Sequence, residues 1–329
     1  MPAMIETIAY NKGTGMPWHK LGVSVEGAQT SEAMIVAAGL DWTTRTVEIT
    51  TVEADEIPFK RAVVRDGNVP DGATRVLGVV GPEYTPVSNG ELFAFLDGLV
   101  SDGLMRYDTA GSLKGGRVVW MLGVMGDDWR IGDDVHKTYI AGTAGHDGGL
   151  AIAAQPTAVR IVCANTHRMV FGNDAHNAMI HIRHTANVRE QMKEAQRLYH
   201  ITTESERRYR DWLESVQRES VESAAVNDLL IDMFGDPDKA ETLRIAKSIN
   251  TAVETFKGRY LVPEIARGGR NGYSLLNALT GYADHALRYQ GDATKQAESQ
   301  FASTVIRGRA VAFKDKASAL VSQLVGVAI

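Results

Sequence analysis

Short apolar segments in the first third of the chain predict strands and a few short helices. Residues 43–52 are rich in Thr, Val and Ile, a composition typical of strands. Residues 61–65 and 75–80 predict two more strands. Ser31 to Ala38 and Asn89 to Val100 carry apolar residues at helical spacing, and Ser31 and Asn89 are residue types that cap helices.

The middle third predicts an antiparallel meander. Asp147-Gly148-Gly149 is a strong signal for a short hairpin turn, because Gly tolerates the positive φ that such turns demand. Gln155-Pro156 predicts a break between the last two strands, since Pro lacks the N–H that a strand donates. Turn signals separate four predicted strands, which are Arg117 to Met125, Val135 to Thr143, Leu150 to Ala154 and Thr157 to Cys163.

A long helix is predicted after the meander, and the rest of the chain is mostly helical. A stripe at alternating spacings of four and three residues indicates a helix from about Thr185 to Ser220. Further helices are predicted from Pro237 to Lys257, with Pro237 near the first helical position, and from Ser274 to Arg288. The predicted fold class is α+β. We expect an α+β core over residues 1–200 and a helical C-terminal region over residues 201–329.

Composition fits an ordinary globular protein, and charge adds information only locally. The 329 residues are 44% hydrophobic and 23% charged, with a net charge of −5. Residues 1–105 hold 7 Lys and Arg against 14 Asp and Glu, whereas residues 106–200 hold 11 against 9. A basic site is therefore expected in the middle third. The sequence shows no secretory signal and no apolar run near the roughly 20 residues of a membrane helix. Together with the single Cys163, this favours a reducing, cytoplasmic compartment.

Two basic features of the middle third are candidate phosphate contacts. The glycine-rich segment Gly111 to Arg117 carries Lys114 and Arg117, but it lacks the Walker A pattern and also fits a simple turn. Arg189, Lys193 and Arg197 are spaced four residues apart and form one ridge on the predicted long helix. Interleaved Glu residues leave open the alternative of a solvated, salt-bridged helix face.

Catalytic and metal-binding patterns are weaker. His167, His176, His181 and His184 lie near Cys163, but no zinc motif is present, and a buried, inert thiol is the favoured interpretation. The acids around Trp129 fit a turn between two strands better than a magnesium site. We therefore predict no catalytic residues, no metal and no cofactor.

Several phrases of the sequence resemble the phage/plasmid-like protein family, an uncharacterised domain family of prophage and actinobacteriophage proteins. The resemblance covers nearly the whole chain, with Ala158 and His167 as small departures from the expected pattern. It implies an intracellular protein in the cytoplasm of an infected bacterium. The phrases are Pro17 to Gly22, Val76 to Gly81, Thr109 to Leu113, His146 to Gly148, Thr157 to Thr166, Arg183 to Thr185 and Leu275 to His285.

A weaker resemblance concerns architecture alone. A meander followed by a long helix is similar to Rad52-like single-strand annealing proteins, which form rings or filaments with DNA in a basic groove. This similarity implies an oligomer that binds single-stranded DNA and anneals it without ATP, and Trp120 or Tyr139 would offer stacking surface if exposed. The expected phosphate contacts are Lys114, Arg117, Arg160, Arg168, Arg183, Arg189, Lys193 and Arg197.

Two other functions remain open from the sequence. One is a host-interaction or anti-defence protein that binds a protein or a small nucleotide, which predicts a tight pocket near Thr109 to Gly116. The other is a hydrolase or nuclease, which no catalytic spacing supports.

Overall fold

The computed structural model describes residues 8–11, 23–26, 30–67, 69, 75–94, 96–160, 165–168, 180–184, 187, 195–287 and 309–328. These residues form an α+β fold in which antiparallel strands are followed by a long helix and a mostly helical C-terminal part. The predicted fold class is confirmed. Among the helices in these ranges, none is both long enough and apolar enough to span a bilayer.

The larger sheet has eight strands within the described residues. Its spatial order is β10-β9-β8-β7-β6-β1-β2, with β11 paired along β9. Strands β6 to β10 pair antiparallel in chain order, which confirms the meander, whereas β1 and β2 pair parallel. The strands are β1 (Ile8–Asn11), β2 (Val23–Val25), β6 (Met105–Leu113), β7 (Val118–Ile131), β8 (Asp134–Gly145), β9 (Ile152–Arg160), β10 (Asn165–Arg168) and β11 (Ile180–Ile182).

Both faces of this sheet are buried at its centre. Alternate residues of a strand point to opposite faces, and on β7 the two sets join different cores. Val119 and Met121 pack in the core that contains the N-terminal helices, while Trp120 and Leu122 join a second core. Residues 118–125 of β7 and 138–145 of β8 are all buried.

Glycine turns connect the central strands as the sequence predicts. Only Gly132 and Asp133 separate β7 from β8, and Gly132 has φ of +55°. In the β8–β9 loop Gly148 has φ of +76°, and the Asp147 carboxylate accepts a hydrogen bond of 2.8 Å from the Gly149 N–H. The chain reverses at 147–149 as predicted, but the connection is the loop 146–151 and not the tight hairpin turn that the sequence indicates.

The predicted break at Gln155-Pro156 is wrong, because β9 continues through both residues. Pro156 is paired in register with Ile140 of β8. On the other side of β9, β11 pairs only as far as Ala154, and β10 pairs only from Thr157 onward. Pro156 thus lies between the part of β9 that pairs with β11 and the part that pairs with β10. Its missing N–H interrupts neither of these two pairings.

A second, three-stranded sheet packs against the β8–β9 loop. It consists of β3 (Thr43–Thr50), β4 (Glu56–Asp66) and β5 (Val76–Val80), all antiparallel. At the contact the backbones approach so closely that a Cβ on Gly78 would lie 2.5 Å from the Asp147 Cα. Only glycine fits at this position without displacing the loop.

Helix α1 (Ser31–Ala37) forms where predicted, but its cap differs from the prediction. The hydroxyl of Thr30, not Ser31, accepts the hydrogen bond from the Ala33 N–H, at 3.2 Å. Ser31 instead donates its hydroxyl to the Asp97 carboxylate at 2.7 Å. A long-range contact therefore takes the side chain that the local sequence assigns to capping.

The helix predicted from Asn89 to Val100 is two short helices, α2 (Asn89–Ala94) and α3 (Asp97–Ser101). The cap of α2 is Ser88, because its backbone N–H and hydroxyl both donate to Glu91, and the Glu91 N–H donates back to the hydroxyl. This is a capping box. The Asn89 side chain is left for contacts with other elements.

The long helix α4 (Ala195–Arg218) confirms the predicted helix over the part that the structure describes. Its stripe faces the protein interior: Thr202, Tyr209, Leu213 and Val216 are buried. Most of the predicted first turns, residues 185–194, lie outside the described residues.

Five helices make up the C-terminal part of the described chain. Pro237 begins a short 3₁₀ turn rather than the long helix predicted from it. The helix itself begins at Leu243, where the Thr242 hydroxyl accepts a hydrogen bond from the Ile245 N–H at 3.3 Å. A π-helical turn, Lys257–Leu261, joins the second helix to the third. The helices are α5 (Ser223–Phe234), α6 (Leu243–Phe256), α7 (Val262–Gly268), α8 (Gly272–His285) and α9 (Arg309–Val325).

Helix α8 is the central element of this helical part. All its residues from Gly272 to Asp284 are buried, and its core includes Leu213 and Val216 of α4. The same core contains Trp129 and Ile131 of β7. The C-terminal helices thus pack against the end of the larger sheet where the β7–β8 turn lies.

Candidate nucleic-acid interface

The structure places the predicted phosphate contacts at several different positions. Lys114 and Arg117 lie in the turn between β6 and β7, and Arg183 directly follows β11. Arg160 ends β9, and Arg168 ends β10. Arg197 is exposed near the start of α4, whereas Arg189 and Lys193 lie outside the described residues.

Strand register separates these positions into two groups. Val118, next to the β6–β7 turn, is paired with Gly145, and Ile182 is paired with Ile152 at the start of β9. Lys114, Arg117 and Arg183 therefore lie at one end of the sheet, which we call the turn end. Arg160 is paired with His136, nine residues along β8 from Gly145, so it lies about 30 Å away at about 3.3 Å per residue.

The β6–β7 turn has an unusual backbone. Lys114, Gly115 and Gly116 all have positive φ, at +57°, +65° and +85°. This conformation is uncommon for a residue with a side chain, yet Lys114 adopts it and is exposed. The Arg117 carbonyl accepts a hydrogen bond of 2.8 Å from the His146 N–H, which ties the turn to the β8–β9 loop.

A buried arginine and tryptophan fill the space beneath this turn. The Arg65 guanidinium lies over the Trp42 ring, 4.4 Å from its centroid, although Arg65 is only 1% exposed. A Cβ on Gly116 would lie 3.2 Å from both side chains. The host-interaction alternative predicts a small-molecule pocket near Thr109 to Gly116. Beneath Gly116, the protein's own side chains fill this space.

His146 joins the turn end to the N-terminal helices. Its Nε2 is 2.8 Å from the Asn89 Oδ1, and the Asn89 amide donates to the Leu40 carbonyl at 2.8 Å. Because the amide nitrogen is the donor, Oδ1 accepts, and Nε2 carries the imidazole proton. Burial lowers the pKa of His146 to about 3, and the charges of His184 and Arg65 add to the decrease. His146 is therefore neutral at physiological pH.

A second histidine holds the segment that carries Arg183. The rings of His184 and Tyr84 stack at 4.8 Å between centroids, and the Thr85 N–H donates to the His184 carbonyl at 3.0 Å. The Tyr84 hydroxyl donates to the Gly145 carbonyl at 3.3 Å. Burial lowers the pKa of His184 as well. Arg183 itself is exposed beside this anchored residue.

A family model matches most of the chain. A model of the family described as "Domain of unknown function (DUF932)" matches residues 76–310. The chain belongs to the DUF932 family. No curated protein and no solved structure matches the chain.

The DUF932 region runs from β5 into α9 and contains all eight predicted phosphate contacts. Trp42 and Arg65 precede it in the sequence, so the turn end of the DUF932 sheet rests on side chains from outside the matched region. Sequence reasoning did not select these two residues. The only local signal is that Arg65 directly follows the apolar run Ala62-Val63-Val64, which marks a buried strand.

Within the DUF932 region, the two candidate stacking aromatics are buried. Trp120 is fully buried in β7, and Tyr139 is 3% exposed in β8. Burial raises the pKa of the Tyr139 hydroxyl far above its usual range. The alternative interpretation, that these are ordinary core residues, is confirmed.

Charge pairing dominates the described part of α4 beyond Arg197. Arg207 contacts Glu204 at 2.7 Å and Asp211 at 3.3 Å. Arg218 contacts Glu214 at 3.2 Å. The salt-bridged alternative thus describes these later turns of the helix well. For the ridge itself the question stays open, because two of its three residues lie outside the described ranges.

The acidic and metal-binding alternatives gain no support. Of the acids around Trp129, only Asp133 lies in the β7–β8 turn; Asp127 and Asp128 lie within β7 and Asp134 begins β8, so the turn is shorter than predicted. Asp134 accepts a hydrogen bond of 3.0 Å from the Tyr273 hydroxyl. In the described ranges, no group of three or more His, Cys, Asp or Glu side chains is arranged to hold a metal ion. Cys163 and His176 lie outside those ranges, so the prediction of a buried thiol remains a prediction.

Proposed function

We propose that this protein is a phage-encoded single-stranded-DNA-binding protein that anneals complementary strands without ATP. The observation that supports this most is the position of Lys114, Arg117 and Arg183 at the same end of the sheet. The proposed role needs no catalytic residue, metal or cofactor. It would be carried out in the cytoplasm of the bacterial host.

The proposed mechanism is electrostatic. Each Lys or Arg that neutralises a phosphate releases condensed counterions, so affinity depends on salt and not on base sequence. The anchored carbonyl of Arg117 and the stacked ring of His184 fix the backbone at two of the cationic residues. The basic positions farther along the sheet, Arg160 and Arg168, would extend the path of the strand.

Assembly into a ring or filament is part of this proposal, because many weak protomer sites bind a long strand tightly when they are linked. Exposed apolar side chains on the C-terminal helices support association. Leu243 is 91% exposed, Ile245 is 43% exposed and Ile231 is 42% exposed. Light scattering at tens of micromolar, with and without DNA, tests this part. A strictly monomeric mass in both conditions contradicts assembly and annealing.

The DNA site is tested by a double variant at the turn end, Lys114→Gln with Arg183→Gln. Each lost contact should lower the slope of log affinity against log salt by about 0.7, or about 1.4 for the pair. Fluorescence anisotropy with a labelled oligothymidine and a mixed-sequence strand measures this slope, and both strands should weaken equally. The matched control is Arg218→Gln, an exposed arginine at the C-terminal end of α4 that is paired with Glu214.

Three results bear directly on the proposal. Unchanged affinity and slope in the double variant would remove the turn end from the site. A loss restricted to Lys193→Ala with Arg197→Ala would move the site to the helix ridge. If the wild type binds no DNA at low salt, the annealing role is wrong, and the host-interaction or anti-defence role becomes the better explanation.

A further inference from the structure

A basic groove lies in the helical part of the protein, away from the turn end. It encloses about 690 Å³ between α6, the π-helical turn, the end of α8 and the start of α9. This volume is in the range of small-molecule sites. The described lining residues include Arg244, Lys247, Arg259, Tyr260, Tyr282 and Arg309.

The charge of the groove is of one sign. Arg244 and Lys247 come from α6, Arg259 comes from the π-helical turn, and no Asp or Glu is among the described lining residues. In the described part of the chain, none of these three cations forms a salt bridge with a carboxylate. Like charges placed together without counter-charges repel one another, and a bound anion removes that repulsion.

Helix geometry explains why the cations converge. On α6 the lining residues follow the spacing 244, 247, 248, 251, 252 and 255, which is a single face of an α-helix. Glu254, on the same helix, lines an adjoining shallow groove that shares Lys247, Thr251 and Thr255 with the basic groove. The acid nearest in sequence on α8 is Asp284, and it is paired with the buried Lys314. Neither carboxylate is among the described residues that line the basic groove.

The donors available to a ligand are mainly the charged ones. The Thr251 hydroxyl donates to the Lys247 carbonyl at 2.8 Å, and the Thr255 hydroxyl donates to the Thr251 carbonyl at 2.7 Å. Their hydrogens are therefore committed to the helix backbone. Recognition must come from guanidinium and ammonium groups, which suit phosphate oxygens, with Arg able to bind two of them at once.

The groove also has an apolar and aromatic wall. Tyr260 and Tyr282 lie edge to face with their centroids 5.7 Å apart, and Ala252, Ala286 and Leu287 complete the surface. Tyr260 belongs to the π-helical turn, an irregularity that is frequently found at functional sites. A flat, partly apolar group adjoining several phosphates would match both walls.

We propose that this groove binds a nucleoside di- or triphosphate, with the phosphates on Lys247 and Arg259 and the base against the tyrosine wall. This inference does not depend on DNA binding at the turn end. The ligand is an effector or a substrate of moderate size, and the cations provide most of its affinity.

Isothermal titration calorimetry at low salt tests the site with ATP, inorganic pyrophosphate and adenosine. We expect ATP and pyrophosphate to bind and adenosine not to bind, since adenosine lacks the anionic groups. Lys247→Gln and Arg259→Gln should each weaken ATP binding by about tenfold, the usual effect of removing a charge-assisted hydrogen bond. Both side chains are exposed, so the variants should fold, and their melting temperatures check this.

The matched control is Lys257→Gln. Lys257 belongs to the same π-helical turn, but its ammonium donates to the Asn227 side chain at 3.1 Å and does not line the groove. ATP affinity should be unchanged in this variant and in the turn-end variant Lys114→Gln with Arg183→Gln. No heat with ATP or pyrophosphate overturns the proposal, and so does an equal loss in the Lys257→Gln control.

Discussion

The buried imidazole of His146 should make the stability of the protein depend on pH in a defined window. An unfolded histidine has a pKa of about 6.5, whereas burial lowers the pKa of His146 to about 3 in the fold. Between these values the unfolded state binds more protons than the folded state. The free energy of unfolding therefore falls as the pH decreases, by up to about 1.4 kcal/mol per pH unit.

The size of the effect at an accessible pH follows from the unfolded value alone. At pH 5, protonation of the unfolded state should lower the free energy of unfolding by about 2 kcal/mol relative to pH 7.5. Burial also lowers the pKa of His184, so it acts in the same direction. Protonation of His146 beside Asn89 would place a second positive charge near Arg65 in the buried interior.

Urea denaturation followed by tryptophan fluorescence at pH 5.0, 6.0 and 7.5 measures this difference. His146→Gln removes the titrating group and keeps a side-chain N–H that can donate to Asn89. We expect the variant to lose about 2 kcal/mol of the pH dependence, whatever its stability at pH 7.5. His200→Gln, at an exposed position on α4, is the control. If His146→Gln keeps the wild-type pH dependence, our account of the buried imidazole is refuted.

Two further predictions concern packing in other parts of the fold. Gly78→Ala should destabilise the protein by about 1–3 kcal/mol, because the new Cβ would lie 2.5 Å from the Asp147 Cα. Gly81→Ala, which has no atom within 4 Å of its Cβ, is the control in thermal unfolding, and equal losses would contradict the steric cause. Asp284→Asn should cost about 3–5 kcal/mol at pH 7, because it removes the carboxylate charge that faces the buried Lys314 ammonium. Burial lowers the pKa of Lys314, so the loss should shrink at alkaline pH, and a loss that does not depend on pH would be inconsistent with this cause.

Local signals predicted much of the fold because they act over a few residues. The glycines at 148 and 149 mark a real turn, and the stripe on α4 marks a real buried face. The errors arise where distant parts of the chain compete with a local signal. Ser31 donates its hydroxyl to Asp97 and does not cap α1 as predicted. Pro156 fits inside β9 because it lies between the residues that pair with β11 and those that pair with β10.

The candidate site shows the same division. The glycine-rich segment correctly indicated a turn at Lys114 and Arg117, in which Lys114 is exposed and Arg117 is half-buried. The support of that turn could not be predicted, because Trp42 and Arg65 lie far away in the sequence and their role depends on tertiary packing. The basic groove was also missed. Its cations are spread along the sequence from Arg244 to Arg309 with acidic residues between them, so local net charge does not reveal them.

The burial of both faces of the central strands limits where a nucleic acid can contact the larger sheet. Many domains that read single strands lay the bases flat on an open sheet. Here residues 118–125 of β7 and 138–145 of β8 are buried, so this central part of the sheet offers no open face on which bases could lie. A mutational scan should therefore give two classes of effect. Substitutions within the central strands should lower stability, whereas substitutions in the turns at their ends should change the affinity for DNA.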